Sequence, residues 1–311
     1  MNVNLLCPEA PFGERVDCNF AEVDENLTKD ARVMVNMLML EGSTIPRMNY
    51  FANFQGDLLP FMRKVVTTWM LEVCEEQHCE EQVFPLAVNF MDRFLCVCEI
   101  PRQQLQLVGA TALLVSTKIR QCHNLTIHLL CAYTDHSVAP EEIRTMEMLI
   151  LTKLNWNSNT ITGFDFVDHL IERMPWGHES RLTKRHAHTL VSVCCTEPEF
   201  MQTAPSLLAT ACVCAAVRGL NLPSSQCALA DLCAVSRADI TLAELMVCHI
   251  ERVIANETAS LQTPSGTPPA SNPNSPYQSP EASVSLSKLC KELIAALRTL
   301  PLATTACVKL A

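Results

Sequence analysis

The sequence is short of glycine, with 8 in 311 residues, where average usage would give about 22. The closest pairs, Gly42 with Gly56 and Gly163 with Gly177, are fourteen residues apart. This spacing excludes a dinucleotide-binding glycine turn, a P-loop and a kinase glycine-rich loop. Aromatic residues make up only 5% of the chain. Because strands favour aromatic residues and glycine disfavours helices, this composition predicts an all-α protein.

Runs of basic residues and long apolar runs are also missing. A net charge of −10 and a pI near 5.4 argue against a nucleic-acid partner, which needs a basic surface. Residues 1–20 lack the pattern of a secretory signal, and the longest nearly apolar run, 207–217, is about half of what a bilayer requires. We therefore expect no membrane partner and a reducing environment, in which the 17 cysteines are free thiols.

Apolar residues recur at helical spacing in two successive parts of the chain. The pattern predicts helices over 24–39, 61–76, 81–97, 104–120, 126–133 and 140–153, and then over 164–171, 181–195, 206–218 and 242–254. Prolines crowd the region that begins at residue 258, which predicts a disordered tail because such a segment cannot bury a core. Apolar residues at helical spacing recur over 285–300, and we assign no role to this segment. The predicted parts are thus 1–23, 24–157, 158–257 and 258–311.

Several segments resemble the cyclin box, and specifically that of D-type cyclins. In the family's order they are 62–76 (MRKVVTTWMLEVCEE), 84–95 (FPLAVNFMDRFL), 105–111 (LQLVGAT), 116–118 (STK), 133–135 (YTD), 146–147 (ME) and 153–156 (KLNW). The second part is similar more faintly, at 164–166 (FDF) and 185–187 (RHA). The resemblance implies two tandem five-helix cyclin-box repeats, preceded by a helix at the N-terminal end.

The resemblance also implies a function without catalysis or cofactors. A D-type cyclin is a regulatory subunit, not an enzyme, and it binds and activates a G1 cyclin-dependent kinase of the four/six type. It directs that kinase to retinoblastoma-family proteins and so promotes the G1/S transition. We accordingly expect a kinase, a pocket protein and Cip/Kip-type inhibitors as partners, and a location in nucleus and cytoplasm.

Two pairs of opposite charge match positions of the family. Lys118 and Glu147 match its kinase-binding pair, where a lysine donates to carbonyls and a glutamate accepts from amides; each could also be an ordinary solvated charge. Arg63 and Asp92 look like a buried ion pair that joins the first two helices, and we interpret them as structural.

A further set matches the family's docking patch for Arg-x-Leu segments of substrates and inhibitors. The patch comprises Met62, Val65, Trp69 and Glu72 with Leu105 and Gln106. The alternative is that the same apolar stripe is simply core, which is the usual role of such a helix face. Both interpretations can hold if part of the stripe faces inward.

Residues near the two ends suggest regulation and substrate choice. Leu5, Cys7 and Glu9 fit Leu-x-Cys-x-Glu, the short motif by which D-type cyclins engage retinoblastoma pocket proteins, with two apolar anchors and one carboxylate. In the tail, Ser/Thr-Pro pairs offer proline-directed phosphorylation sites, or form an unmodified linker; they are Thr263, Thr267, Ser275 and Ser279.

Other functions were weighed against this interpretation. Cys74 and Cys79 with His78, and Cys96 with Cys98, invite a zinc site, but a second ligand pair at finger spacing is missing; we expect no metal. The alternative function is a cyclin-fold transcription factor or scaffold without a kinase partner. A helical enzyme would need a pocket with converging titratable groups.

Overall fold

The computed structural model describes residues 24–176, 181–220, 222 and 228–260. Across these ranges the regular structure is helical and includes no strand, which confirms the predicted all-α class. None of the helices in these ranges is long and apolar enough to cross a bilayer. The helices are α1 Glu25–Lys29, α2 Ala31–Glu41, α3 Tyr50–Asn53, α4 Pro60–Glu76, α5 Val83–Leu95, α6 Leu105–Arg120, α7 Ile127–Tyr133, α8 Pro140–Lys153, α9 Gly163–Ile171, α10 Arg181–Thr196, α11 Pro205–Gly219, α12 Ala228–Ser236 and α13 Ile240–Ser260.

The structure differs from the predicted helices at three places. The single helix predicted for 24–39 is two helices, because the Asp30 carboxylate accepts a hydrogen bond from the Arg32 backbone N–H at 2.8 Å and starts a new helix there. Helix α3 was not predicted, since four residues are too few to show a period. Helix α12 was not predicted either, because its sequence ALADLCAVS has no distinct polar face.

The helices pack around two cores, each with one helix at its centre. Helices α3 to α8 build the first core around α6, which is buried from Leu105 to Thr117 apart from Gln106. The second core is built around α11 by α9, α10, α12 and α13, joined by α2. A central helix surrounded by others has to be apolar nearly all round, as the sequence of α6 predicts.

Helix α4 crosses α6 closely at Gly109. A Cβ atom at Gly109 would lie 2.9 Å from Val66 Cγ1 and 3.1 Å from Met70 Sδ, both on α4. A larger residue at this position would therefore force the side chains of Val66 and Met70 to move. The crossing holds the outer face of α4 beside the start of α6.

Arg63 joins both repeats through a fully buried guanidinium. Its Nε and Nη2 donate to the two carboxylate oxygens of Asp92 on α5, at 2.8 and 2.7 Å. Its Nη1 and Nη2 also donate to the carbonyls of Thr196 and Cys195 at the end of α10, each at 3.1 Å. Tyr50 donates its hydroxyl to the same carboxylate at 2.8 Å. Burial opposes the charge of Arg63, but Asp92 outweighs it and raises the pKa of the guanidinium.

Helix α2 packs on the second core although it precedes the first repeat in the chain. Met34 and Met37 are buried in that core. At its end, the Glu41 carboxylate accepts hydrogen bonds from the backbone N–H and the hydroxyl of Ser206, both at 2.9 Å. Ser206 lies in the first turn of α11, where a negative charge is favourable because the helix N-terminus carries partial positive charge.

We expect Arg63→Met to destabilise the protein by about 3–5 kcal/mol, because it leaves the Asp92 charge buried without its guanidinium partner. The measurement is the free energy of unfolding in urea. Arg144→Met is the matched control: Arg144 pairs with Glu141 on the surface of α8, where an ion pair contributes about 0–1 kcal/mol. Equal stability of the two variants would show that the buried pair does not hold the repeats together.

Candidate functional site

Lys118 and Glu147 meet on the surface of the first repeat. Lys118 lies in the last turn of α6, and Glu147 lies in the middle of α8. The Lys118 Nζ and Glu147 Oε1 atoms are 2.5 Å apart, and the two side chains are 43% and 16% exposed. The structure thus brings together two charges that are 29 residues apart in the sequence, and it keeps them accessible to a partner.

Two exposed apolar side chains follow the charged pair in the sequence. Ile119 is 43% exposed and Met148 is 54% exposed. Sequence reasoning did not single them out: α6 is apolar nearly all round, so its period could not tell which side chain faces water. Exposed apolar groups on the same helices as a charged pair are typical of protein interfaces, where burial gives affinity and charge gives orientation.

The pair can bind peptide groups of another chain. The Lys118 ammonium has three N–H donors, of which Glu147 accepts one. The Glu147 carboxylate has a second oxygen that can accept from an amide. The arrangement therefore suits the end of a helix in a partner, where backbone donors or acceptors are left without intrahelical partners.

The predicted docking patch is divided between surface and core. On α4, Val65 is 39% exposed, and Met62 and Trp69 are partly buried against the first core. Glu72 is also half-buried. On α6, Leu105 is buried at 3% exposure and Gln106 is half-buried.

The buried face of α4 coincides only in part with the apolar stripe that the period indicates, which shares Met70 and Val73 with it. The buried residues are Arg63, Thr67, Thr68, Met70, Leu71, Val73 and Cys74. The expectation that the whole stripe is core is therefore wrong for Val65, and the structure leaves its neighbours on the outer face of α4 only partly covered. The polar members of the buried face are satisfied within the protein, since Thr67 donates to the Arg63 carbonyl at 2.9 Å.

Two groups of predicted sites lie outside the described residues. They are Leu5, Cys7 and Glu9 in the N-terminal arm, and Thr263, Thr267, Ser275 and Ser279 in the tail. The apolar stripe at 285–300 lies outside them as well.

A small cavity of about 70 Å³ lies where the two repeats meet. The charged residues in its lining are Arg63 and Asp92, which are bonded to each other. Its cysteines are held in the thiol form, because burial raises the pKa of Cys195 to about 12 and that of Cys194 well above its ordinary value. This cavity therefore brings no free acid, base or nucleophile together.

The cysteines that the structure describes are free thiols. Among the described residues, no three or more His, Cys, Asp and Glu side chains are grouped so that they could hold a metal ion. Cys74 and Cys79, which the sequence suggested as ligands, lie together at the end of α4, where the Cys79 N–H donates to the Cys74 carbonyl at 2.9 Å.

Comparison with known proteins agrees with this fold. The family models of the cyclin N-terminal domain and the cyclin C-terminal domain match residues 32–159 and 161–264. The chain is 45% identical to human G1/S-specific cyclin-D1 over 225 residues, covering 72% of this chain and 74% of the relative. It is also 45% identical to the zebrafish (Danio rerio) cyclin-D1 over 232 residues, covering 74% and 78%.

A solved structure shows the same architecture at lower identity. The viral cyclin of herpesvirus saimiri superimposes with a TM-score of 0.62 at 21% identity, covering 72% of this chain and 97% of that one. Two matched cyclin domains in tandem, with relatives of this identity over most of the chain, show that the protein belongs to the D-type branch of the cyclin family.

Proposed function

We propose that this chain binds and activates a G1 cyclin-dependent serine/threonine kinase of the four/six type, and that it directs the kinase to retinoblastoma-family proteins and so promotes the G1/S transition. As a cyclin it is a regulatory subunit and not an enzyme. The observation that carries the proposal is the accessible contact between Lys118 and Glu147. The relatives named G1/S-specific cyclin-D1 support it.

Activation by binding requires that the cyclin contact the active arrangement of the kinase better than the inactive one. In an active kinase the C helix carries the glutamate that pairs with the ATP-positioning lysine. We place Lys118 and Glu147 against the backbone at the end of that helix, with Ile119 and Met148 beside them. The two charges already hold each other in place, so less side-chain entropy is lost when the partner binds.

We expect Lys118→Glu to weaken kinase binding at least about thirtyfold, or ~2 kcal/mol, because it replaces the attractive pair by two carboxylates. The measurements are co-purification with the kinase and phosphorylation of a retinoblastoma fragment. Thermal unfolding should change little, since the pair lies at the surface and Lys118 is 43% exposed.

The matched control is Arg181→Glu, which makes the same change of charge at an exposed position of α10 in the second repeat. It should bind the kinase as the parent protein does. A Lys118→Glu variant that co-purifies with the kinase as well as this control does would contradict the proposed role.

We propose further that the outer face of α4 docks Arg-x-Leu segments of substrates and of Cip/Kip-type inhibitors. Val65 and the partly exposed Met62 and Trp69 offer an apolar surface for the leucine. Glu72 offers a carboxylate near the arginine, and Gln106 on α6 borders the same surface.

We expect Trp69→Ala to lower the phosphorylation of Arg-x-Leu substrates about tenfold or more while kinase binding stays intact, because aromatic anchors dominate such interfaces. Rates on a substrate with and without the motif measure the effect. Trp156→Ala is the control, because Trp156 is 61% exposed outside the patch. Equal loss of docking and of kinase binding would argue against a separate docking surface.

We propose that Leu5, Cys7 and Glu9 bind a retinoblastoma-family pocket domain in an extended conformation. Such segments gain affinity from alternate side chains that enter pockets and from backbone hydrogen bonds. This recognition brings the pocket protein to the kinase without any contact to the cyclin folds.

A fluorescent peptide of residues 1–12 should therefore bind a pocket domain, and fluorescence anisotropy measures its affinity. The control peptide carries alanine at positions 5, 7 and 9, and it should lose the binding. A parent peptide that binds no better than the control would remove this part of the proposal.

The tail and the location complete the proposed function. We propose that Thr263, Thr267, Ser275 and Ser279 are phosphorylated by proline-directed kinases, since each precedes a proline. A phosphate adds charge and strong acceptors, which can create or block a binding site. We place the protein in nucleus and cytoplasm, where its proposed partners act.

A further inference from the structure

The end of α4 brings two cysteines into contact. Helix α4 ends at Glu76, and His78 takes a left-handed conformation with φ of 50°. The Cys79 N–H donates to the Cys74 carbonyl at 2.9 Å, and the His78 N–H donates to the Glu75 carbonyl at 3.2 Å. This pair of bonds is the Schellman motif, in which the side chains at these two positions usually make an apolar contact. Here both positions are cysteines, and each thiol affects the pKa of the other.

The two thiols differ in burial and in acidity. Cys74 is buried at 6% exposure, and its pKa is raised well above the ordinary value, first by its interaction with the Cys79 thiol and then by burial. Cys79 is half-buried, and its pKa is lowered, chiefly by its interaction with the Cys74 thiol. The accessible sulfur is therefore the one that more readily becomes a thiolate, which is the reactive form of cysteine.

Neighbouring groups act on Cys79 from two directions. The Gln121 side chain, just after the end of α6, lowers the pKa of Cys79 further, whereas burial and Glu80 raise it. Gln121 also accepts a hydrogen bond from the Glu80 backbone N–H at 3.2 Å. The loop after α4 is thus held against α6, which keeps the two sulfurs together.

No other described pair combines these properties with partial exposure. The Cys212 thiol also affects the pKa of Cys194, but the two residues are only 0% and 1% exposed in the second core. Cys122 is exposed, and it lies in the loop that follows α6.

We propose that Cys74 and Cys79 form a redox-sensitive thiol pair, which a peroxide oxidises reversibly to a disulfide within the first repeat. The Cys79 thiolate attacks hydrogen peroxide, so that an S–O bond forms, the O–O bond breaks and hydroxide leaves, taking up a proton to become water. The sulfur is then a sulfenic acid, oxidised by two electrons while the peroxide is reduced.

Cys74 then resolves the sulfenic acid. Its sulfur attacks the Cys79 sulfur, the S–S bond forms, the S–O bond breaks, and the Cys74 proton leaves with the hydroxide as water. Overall, two thiols and one hydrogen peroxide give one disulfide and two waters. A dithiol reductant reverses the reaction by thiol–disulfide exchange. In a reducing environment such transient disulfides serve redox sensing rather than stability.

The experiment uses the full chain treated with increasing hydrogen peroxide, then denatured, alkylated, digested with trypsin and analysed by mass spectrometry. The sequence makes this simple, because residues 65–93 form one tryptic peptide that contains Cys74 and Cys79 and no other cysteine. We expect this peptide to lose both alkyl groups and to become two hydrogens lighter, at peroxide concentrations that leave Cys122 alkylated. Dithiothreitol added before alkylation should restore both alkyl groups.

The controls test whether the oxidation is specific to Cys74 and Cys79 or affects the cysteines in general. The peptide 186–218, which contains Cys194 and Cys212, should stay fully alkylated. Cys74→Ser should trap a sulfenic acid on Cys79 that a 1,3-diketone probe labels, and Cys79→Ser should leave Cys74 unreactive. Circular dichroism checks that each variant is folded. The result on the unsubstituted chain tests the proposal even if a variant does not fold. If peptide 65–93 keeps both alkyl groups when Cys122 is oxidised, or if Cys79 proceeds to sulfinic acid without a disulfide, the proposal is overturned.

Discussion

The buried guanidinium of Arg63 sets the orientation of α4, and both the joint between the repeats and the outer surface of that helix depend on it. An arginine can be buried only if its donors find acceptors, and Asp92 together with two carbonyls of α10 supplies them. Once Arg63 points inward, Thr67, Met70 and Cys74 follow on the same face, at the spacing of successive helical turns. The opposite face, with Val65 and Trp69, is then left at the boundary with solvent.

This dependence explains which parts of the fold could be predicted. Helix α8 runs over Pro140–Lys153 as its period predicts, because local signals mark its start: a proline in the first turn and a Glu142 side chain that accepts from the Ala139 N–H at 2.7 Å. The period of α4 predicts its inward face only in part: Met70 and Val73 are buried as expected, but Arg63 and Thr67 are buried as well. The direction of this face depends on a partner 29 residues away, and hydrophobicity alone favours the stripe that contains Val65.

The candidate surfaces, too, could be predicted from the sequence only in part. Resemblance to the family named Lys118 and Glu147, but only the packing of α6 against α8 brings them to 2.5 Å. The exposed Ile119 and Met148 carry no sequence signal, since neither breaks the pattern of its helix. Likewise, a Cys-x4-Cys spacing does not by itself predict that the two cysteines lie close together. Cys74 and Cys79 do so because His78, just after the end of α4, takes a left-handed conformation.

Helix α6 links the two proposed surfaces of the first repeat. Leu105 and Gln106 in its first turn belong to the proposed docking patch, and Lys118 in its last turn belongs to the charged pair. Thirteen residues of α-helix separate Leu105 from Lys118, which corresponds to about 20 Å. The helix is buried along most of this length, so it acts as a rigid spacer. The two proposed surfaces are therefore held at a fixed separation.

The position of α2 has a consequence for how the molecule can be divided. A cut between the repeats would leave Met34 and Met37 on one fragment and the core that covers them on the other. The Glu41 cap of α11 would be separated from its helix in the same way. Neither fragment would keep its apolar surface covered, so the two repeats should melt together as a single cooperative unit despite their separate cores.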